Sequence, residues 1–188
     1  MAGFHTGNRY LTEEEMKVNA LYIYRVLTEW GWSAQAITGM LGNMETESTI
    51  NPGIWQNLTA SDNAGYGLVQ WTPYTKYWDW CADMELEPSH MDSALQRIEW
   101  EITAGSQWIE TSAYPMSFKD FKTSTQSPSY LAMAFLANYE RPAEAYQPNR
   151  GTQADKWYTY ITGQRPVAPG KKSKGMDLLT LILITNRG

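Results

Sequence analysis

Cysteine and histidine are scarce in this 188-residue sequence, which contains one cysteine and two histidines. Cys81 has no second cysteine with which to form an intramolecular disulfide bond. His5 and His90 lie far apart and complete no set with the spacing of zinc ligands. We therefore expect no structural metal and no cofactor. A lone cysteine without a nearby histidine to activate it is typically a small buried hydrophobe, so we assign Cys81 to the core.

Positive charge is also scarce, with a formal net charge of −5 and no stripe of Lys and Arg before residue 165. A nucleic-acid-binding protein needs such a stripe, so we expect no nucleic-acid partner. The apolar stretch at 178–184 is far shorter than the ~20 residues that a membrane span requires. The first residues lack the apolar core of a secretory signal, so we expect no signal peptide.

Aromatic residues, in contrast, are abundant, with 9 Trp and 12 Tyr in a chain whose apolar share is 43 %. The length suits one well-buried domain with a tail, and most of these rings should lie in its core. Those that do not are suited to line a carbohydrate groove, because a flat ring can pack against a sugar.

Helical signals recur from residue 12 to residue 162. The Thr12-x-x-Glu15 pattern predicts a capping box at the start of a helix that runs toward Gly31. Ser33 starts a second helix, which ends before Asn51-Pro52 and carries one stripe formed by Ile37, Met40, Leu41, Met44 and Ser48. Further helices are predicted over residues 74–84, 89–104, 117–123, 128–140 and 151–162. The sequence therefore predicts a mainly α domain.

Between Pro52 and Pro73 the pattern changes to turn residues followed by Tyr66-Gly-Leu-Val-Gln-Trp71, which predicts an irregular β-hairpin. This hairpin would form one wall of a cleft beside the second helix. After Gly163 a Pro-, Gly- and Lys-rich stretch is typical of a linker. We therefore predict one α+β domain over residues 1–163, and a linker and tail, or the start of a further region, over 164–188.

The candidate catalytic residue is a glutamate near the end of the second helix. Glycosidic cleavage needs a proton donor, and a glutamate can serve at neutral pH only if its pKa is raised. The unsatisfied carbonyls of the last helical turn and packing against Met40 and Met44 would both raise the pKa of Glu47. Glu45 is the rival, since the two side chains face opposite ways, one toward the site and the other toward solvent. Helical geometry alone favours Glu47 only modestly.

Three segments carry a resemblance to a known family: Glu47-Ser48, Asn51-Pro52 and Gly65-Tyr-Gly-Leu-Val-Gln70. They resemble the Glu-Ser…Gly-x-x-Gly-Leu-(Met/Val)-Gln pattern of the lysozyme and lytic transglycosylase superfamily. With Gly39-Met-Leu-Gly-Asn-Met and Tyr139-Glu-Arg-Pro-Ala143, the chain looks like the tail-tip lysozymes of small podoviruses over roughly residues 10–162. The resemblance implies a lysozyme-like fold, with helices around a small β-hairpin beside the active-site cleft.

The same resemblance implies roles for individual residues. Glu47, and not Glu45, corresponds to the catalytic acid of the family. Tyr139 matches a tyrosine that related transglycosylases place next to the acid, although an ordinary helix-end aromatic explains it equally well. The mapping makes Tyr66 and Gln70 candidates for substrate binding. Asn51 and Trp71 are further candidates, but a structural role explains these two equally well.

A second catalytic carboxylate is harder to identify. Retaining glycosidases place it ~5–5.5 Å from the acid and inverting ones ~6.5–9.5 Å away, whereas transglycosylases can use the 6-hydroxyl of the substrate. Asp62, in the polar loop before Gly65, is the best placed by sequence order, but it could equally serve the geometry of its turn. We interpret Glu140-Arg141 as a helix-end ion pair without a chemical role.

The resemblance implies a glycoside hydrolase of the lysozyme (muramidase) type that acts on peptidoglycan. It would cut between N-acetylmuramic acid and N-acetylglucosamine, from the virion tail, as the phage genome enters the host through the cell wall. The implied partners are the glycan strands and phage tail proteins. Two alternatives stay open, namely a lytic transglycosylase with a 1,6-anhydro product and a non-catalytic wall-binding tail module.

Overall fold

The computed structural model describes residues 3–144 and 146–163, so the predicted linker and tail at 164–188 lie outside the described residues. The described part is mainly α, as predicted, and none of its helices is long and apolar enough to cross a membrane. Its α-helices are α1 Glu13–Glu29, α2 Ala34–Ser48, α3 Thr75–Asp83, α4 Met91–Ala104, α5 Phe118–Thr123, α6 Pro128–Phe135 and α7 Asn149–Thr162.

Most helices begin at the capping residues that the sequence predicts. At the start of α1, the Thr12 hydroxyl accepts a hydrogen bond from the backbone N–H of Glu15 at 3.3 Å. The Glu15 carboxylate accepts one from the backbone N–H of Thr12 at 2.9 Å, which completes the capping box. Ser33, Ser117 and Ser127 cap α2, α5 and α6 through their side-chain oxygens.

Three helices differ from their predicted bounds by two residues or more, and the simplest case is α7, predicted over 151–162, which begins at Asn149. The helix predicted over 89–104 begins two residues later, at Met91, because the Nδ1 atom of His90 accepts the capping hydrogen bond of α4. The helix predicted over 128–140 is α-helical only to Phe135 and ends in a π-helical turn, Leu136–Glu140. A π-helical turn is wider than an α-helical one, so it changes the direction in which its last residues point.

Helix α2 lies at the centre of the fold, where it packs against α6, α7 and α1. The stripe predicted for it is buried, namely Ile37, Met40, Leu41, Met44 and Ser48. Two glycines allow neighbouring helices to approach closely. A Cβ atom on Gly39 would lie 2.9 Å from the Cβ of Leu131 in α6, and one on Gly42 would lie 2.3 Å from the carbonyl oxygen of Arg150 in α7.

The hairpin predicted between Pro52 and Pro73 is not confirmed. Among the described residues this segment holds isolated bridges, Trp55 with Tyr66 and Tyr66 with Trp71, rather than paired strands. Left-handed backbone conformations at Gly67 (φ 80°) and Gln70 (φ 52°) interrupt the extended geometry that a strand needs. The segment is therefore a compact loop, which is fastened to the end of α2.

Replacing Gly42 by alanine tests the contact between α2 and α7. The added methyl group would collide with the backbone of Arg150, so we expect Gly42→Ala to lower the free energy of unfolding by about 2–3 kcal/mol. Gly3→Ala is the matched control, because a Cβ there meets no atom within 4 Å, and it should change stability by less than ~0.5 kcal/mol. Urea denaturation measures both, and equal midpoints would contradict the close packing.

Candidate active site

A cleft with a volume of about 500 Å³ opens beside the end of α2. It receives side chains from α2, from the loop that follows it and from the end of the π-helical turn after α6. Its lining consists of Tyr10, Thr46, Glu47, Ile54, Trp55, Gln56, Asn57, Val69, Gln70, Thr72, Glu140 and Pro142. Two carboxyl groups, those of Glu47 and Glu140, therefore share one cleft.

A tight reversal after α2 fixes Glu47 at the edge of this cleft. The hydroxyl of Ser48 donates to the carbonyl oxygen of Met44 at 3.0 Å and to that of Leu68 at 2.8 Å, and so joins the helix end to the loop. Thr49 and Ile50 then adopt left-handed conformations, with φ of 53° and 56°. The chain turns sharply and continues directly into the segment that forms the cleft wall.

The cleft wall is held together largely by hydrogen bonds to its own backbone. The side-chain amide of Gln70 donates to the carbonyl oxygens of Gly67 at 2.9 Å and of Ile54 at 3.3 Å. Trp55 packs edge-on against Tyr66 and is half-buried in the lining. Gln70 thus lies in the cleft and also stabilises the loop that forms it.

Glu47 forms an ion pair with a buried arginine from α7. The Nη2 atom of Arg150 donates to Oε1 of Glu47 at 2.5 Å, and the exposed fractions of the two side chains are 4 % and 22 % respectively. The remaining donors of Arg150 reach Asn43 at 3.1 Å and Gln147 at 2.8 Å. The candidate acid is therefore in direct contact with a buried positive charge.

The helical projection predicted that the side chain of Glu45 points to solvent, and the structure contradicts this prediction. Its carboxylate accepts a hydrogen bond from Nζ of Lys156 and another from Nε1 of Trp157, both at 2.7 Å, and its side chain is 15 % exposed. Glu45 and Glu47 therefore both bind α7, through different partners. Of the two, only Glu47 lines the cleft.

Glu140 is the residue that the sequence analysis missed. Its Oε1 atom is buried, and no hydrogen-bond donor among the described residues reaches it. Burial raises the pKa of the Glu140 carboxyl well above its usual range, and the charge of Glu47 raises it further. The predicted ion pair with Arg141 is wrong, because the Arg141 guanidinium donates instead to the carbonyl oxygens of Gln107 and Asn138.

Tyr139, the neighbour of Glu140, points into the core. Its hydroxyl donates to the buried carboxylate of Glu101 and accepts a hydrogen bond from Nε1 of Trp71 at 3.0 Å, and Arg97 pairs with Glu101 at 2.8 Å. Burial raises the pKa of Tyr139 well above its usual value. Tyr139 and Trp71 thus belong to a buried network and do not line the cleft.

The structure does not bring the other predicted residues into the cleft lining. Asp62 is exposed in its loop. Tyr66 is buried among aromatic rings, and burial raises its pKa to about 12. Asn51 is fully buried, and its amide donates to the carbonyl oxygens of Gly7 and Arg9, both at 2.7 Å. Asn51 therefore fastens the N-terminal segment to the turn after α2.

Within residues 3–144 and 146–163, no three His, Cys, Asp or Glu side chains come close enough together to hold a metal ion. Cys81, predicted to belong to the core, is fully buried in it.

Comparison with known proteins gives a match between residues 18–161 and a family described as phage tail lysozyme. The chain belongs to the phage tail lysozyme family. Among curated proteins it is similar to Morphogenesis protein 1 of Bacillus phage B103, with 50 % identity over 179 residues. The alignment covers 95 % of this chain and 48 % of that protein, so the chain spans about half the length of this relative. The part matched to the phage tail lysozymes contains both Glu47 and Glu140.

Replacing Arg150 by lysine tests how this member of the phage tail lysozyme family holds its cleft residues. A single ammonium group cannot reach the three acceptors that the planar guanidinium serves, so Arg150→Lys should lower the free energy of unfolding by about 1–3 kcal/mol. Arg25→Lys is the matched control, because Arg25 is 48 % exposed and lies 3.9 Å from Glu29. Its effect should stay below ~0.5 kcal/mol. Similar losses in the two variants would show that the buried contacts of Arg150 contribute little.

Proposed function

We propose that this chain is a peptidoglycan hydrolase that cleaves the glycan strand between N-acetylmuramic acid and N-acetylglucosamine, with Glu47 as its catalytic acid. The proposal rests on one observation above all. In a chain that belongs to the phage tail lysozyme family, the glutamate of the Glu47-Ser48 motif is fixed at the edge of the cleft. A carboxyl group in this position can protonate a glycosidic oxygen.

The rest of the lining suits a glycan. Gln56, Asn57 and Thr72 offer amide and hydroxyl groups that can bond to the hydroxyl and acetamido groups of amino sugars. Trp55 offers an aromatic face against which the C–H groups of a sugar ring can pack. Polar groups that fix orientation, next to an aromatic surface, are typical of a small-molecule site.

The family and the curated relative support a biological role. Both the description phage tail lysozyme and the name Morphogenesis protein 1, from a Bacillus phage, connect this sequence type with virions. We therefore place the protein on the virion tail, where it opens the cell wall locally as the phage genome enters the host. Its partners are then the glycan strands of peptidoglycan and the neighbouring tail proteins.

Two matched variants of α2 test the role of Glu47. Glu47→Gln keeps the size of the side chain but cannot donate a proton, so turnover of purified peptidoglycan should fall by about 10³-fold or more. Glu45→Gln should leave turnover near the wild-type value, since a glutamine can still accept the hydrogen bond from Trp157. Muropeptide release measures both, and the reverse result would refute the assignment.

The products distinguish hydrolysis from transglycosylation. Because Glu140 gives the cleft a second carboxyl group, we expect water, rather than the 6-hydroxyl of the substrate, to complete the reaction. Mass spectrometry of the released muropeptides should therefore show hydrated reducing ends. Predominant 1,6-anhydro ends would indicate a lytic transglycosylase, and sacculus binding without any release would indicate a wall-binding module.

A further inference from the structure

The cleft contains an imbalance between buried charges. Arg150 supplies one guanidinium, and its contact with Glu47 at 2.5 Å matches one carboxylate. Glu140 lines the same cleft, yet no donor among the described residues reaches its buried Oε1 atom. One positive charge therefore faces two carboxyl groups.

The other charged groups near Glu140 do not correct this imbalance. Arg141, the next residue, uses its guanidinium to donate to the carbonyl oxygens of Gln107 and Asn138. Glu101, from α4, adds negative charge, although Arg97 pairs with it at 2.8 Å. With Glu47 of α2 and Arg150 of α7, these are the charges that act on the Glu140 carboxyl.

A carboxylate oxygen that is buried without a counter-ion or a hydrogen-bond donor, as Oε1 of Glu140 is, makes the charged form of the group costly and favours the protonated form. Burial and the negative charge of Glu47 both raise the pKa of Glu140, whereas Arg150 and Arg141 act in the opposite direction. Glu140 therefore keeps a proton while the cleft is empty. Together with Glu47, which lines the same cleft, it forms the carboxyl pair of the cleft.

We propose that Glu140 is a positioning residue that holds the proton of this pair, so that Glu47 has a proton to deliver although it is bound to Arg150. The proposal rests on the proposed hydrolase function and deepens it. It also places the second carboxyl group at Glu140, where sequence order had suggested Asp62.

Each catalytic cycle then returns as many protons to the two carboxyl groups as it takes from them. Glu140 passes its proton to Glu47, which gives it to the glycosidic oxygen, and the bond from the anomeric carbon to that oxygen breaks with its electron pair moving to the oxygen. A water molecule adds its oxygen to the anomeric carbon and releases one proton, which returns through Glu47 to Glu140. The pair ends each cycle as it began, and hydrolysis needs no other reactant.

The pH dependence of turnover by Glu140→Gln tests this role. Glutamine keeps the shape of the side chain but cannot take up and release a proton, so the only proton must be held by Glu47 beside Arg150. The alkaline limb of the kcat/KM profile should therefore move to lower pH by at least ~1 unit, which is about a tenfold loss on that limb. A residue that only filled space would leave the limb in place.

Two further variants sharpen the comparison. Glu140→Asp keeps a titrating carboxyl group and should recover most of the shift. Glu144→Gln makes the same substitution at an exposed position four residues away, outside the cleft lining, and should retain the wild-type profile. An unshifted limb in Glu140→Gln, or a shift of equal size in Glu144→Gln, would overturn the proposal.

A carbon-13 NMR titration of glutamate carboxyl groups tests the proposal independently of activity, and it remains valid if Glu140→Gln does not fold. Burial raises the pKa values of both Glu101 and Glu140, so two glutamates should titrate above the usual value of about 4.3. The resonance of Glu140 is the one that should titrate at lower pH in Glu47→Gln, which removes the neighbouring negative charge. If no elevated glutamate moved in Glu47→Gln, the proposal would be wrong.

The two proposals can fail separately. If the wild type releases no muropeptides at any pH, the hydrolase function is wrong, and the NMR titration still decides whether Glu140 holds a proton. If the wild type is active while Glu140→Gln keeps both its rate and its pH profile, the hydrolase function stands and the role of Glu140 is wrong.

Discussion

Arg150 makes two contacts with α2, one through its backbone and one through its side chain. Its carbonyl oxygen lies so close to Gly42 that no side chain fits between them, and its guanidinium donates to Asn43 and Glu47. Asn43 in turn donates to the carbonyl oxygen of Ala132 in α6 at 2.9 Å. The packing of three helices and the position of the candidate acid thus depend on one buried cation.

This dependence gives the two cleft carboxyl groups different environments. Glu47 lies partly in solvent and against a guanidinium, whereas the Oε1 atom of Glu140 is buried and has no donor among the described residues. Paired titratable groups whose surroundings favour opposite protonation states are a recurrent arrangement in enzymes that need an acid and a base at one pH. Here the asymmetry follows from the helix packing, because α7 brings its arginine to only one member of the pair.

Features that depend only on residues close together in the sequence could be predicted. The caps at Thr12 and Ser33 and the buried stripe of α2 need only local hydrogen bonds and helical periodicity, and the structure confirms them. The predicted hairpin is not confirmed, because Gln70 adopts a left-handed conformation and its side chain donates to the carbonyl oxygen of Ile54, a contact that forms only in the folded loop. A pattern of residue types does not contain that information.

The candidate site was predictable only in part, for a related reason. The Glu-Ser pattern and helix position pointed to Glu47, which does line the cleft. The contact between Arg150 and Glu47 joins residues more than a hundred positions apart, and no local rule predicts it. Tyr139 was predicted to lie beside the acid, but its neighbour Glu140 lies there instead. Both residues belong to the π-helical turn, in which the tyrosine points to the core and the carboxyl group to the cleft. The sequence motif identified this segment, but it did not show which of the two side chains faces the cleft.

The turn at Thr49 and Ile50 has a consequence for how this protein can evolve. β-Branched residues rarely occupy left-handed conformations, and each such residue costs of the order of 1–3 kcal/mol. Because a domain of this size has a total stability of only about 5–15 kcal/mol, the turn consumes part of its tolerance for further mutations. Glycine at position 49 would relieve strain but would also loosen the link between the helix end and the cleft wall. Selection for robustness and selection for a rigid cleft therefore act in opposite directions on these two residues.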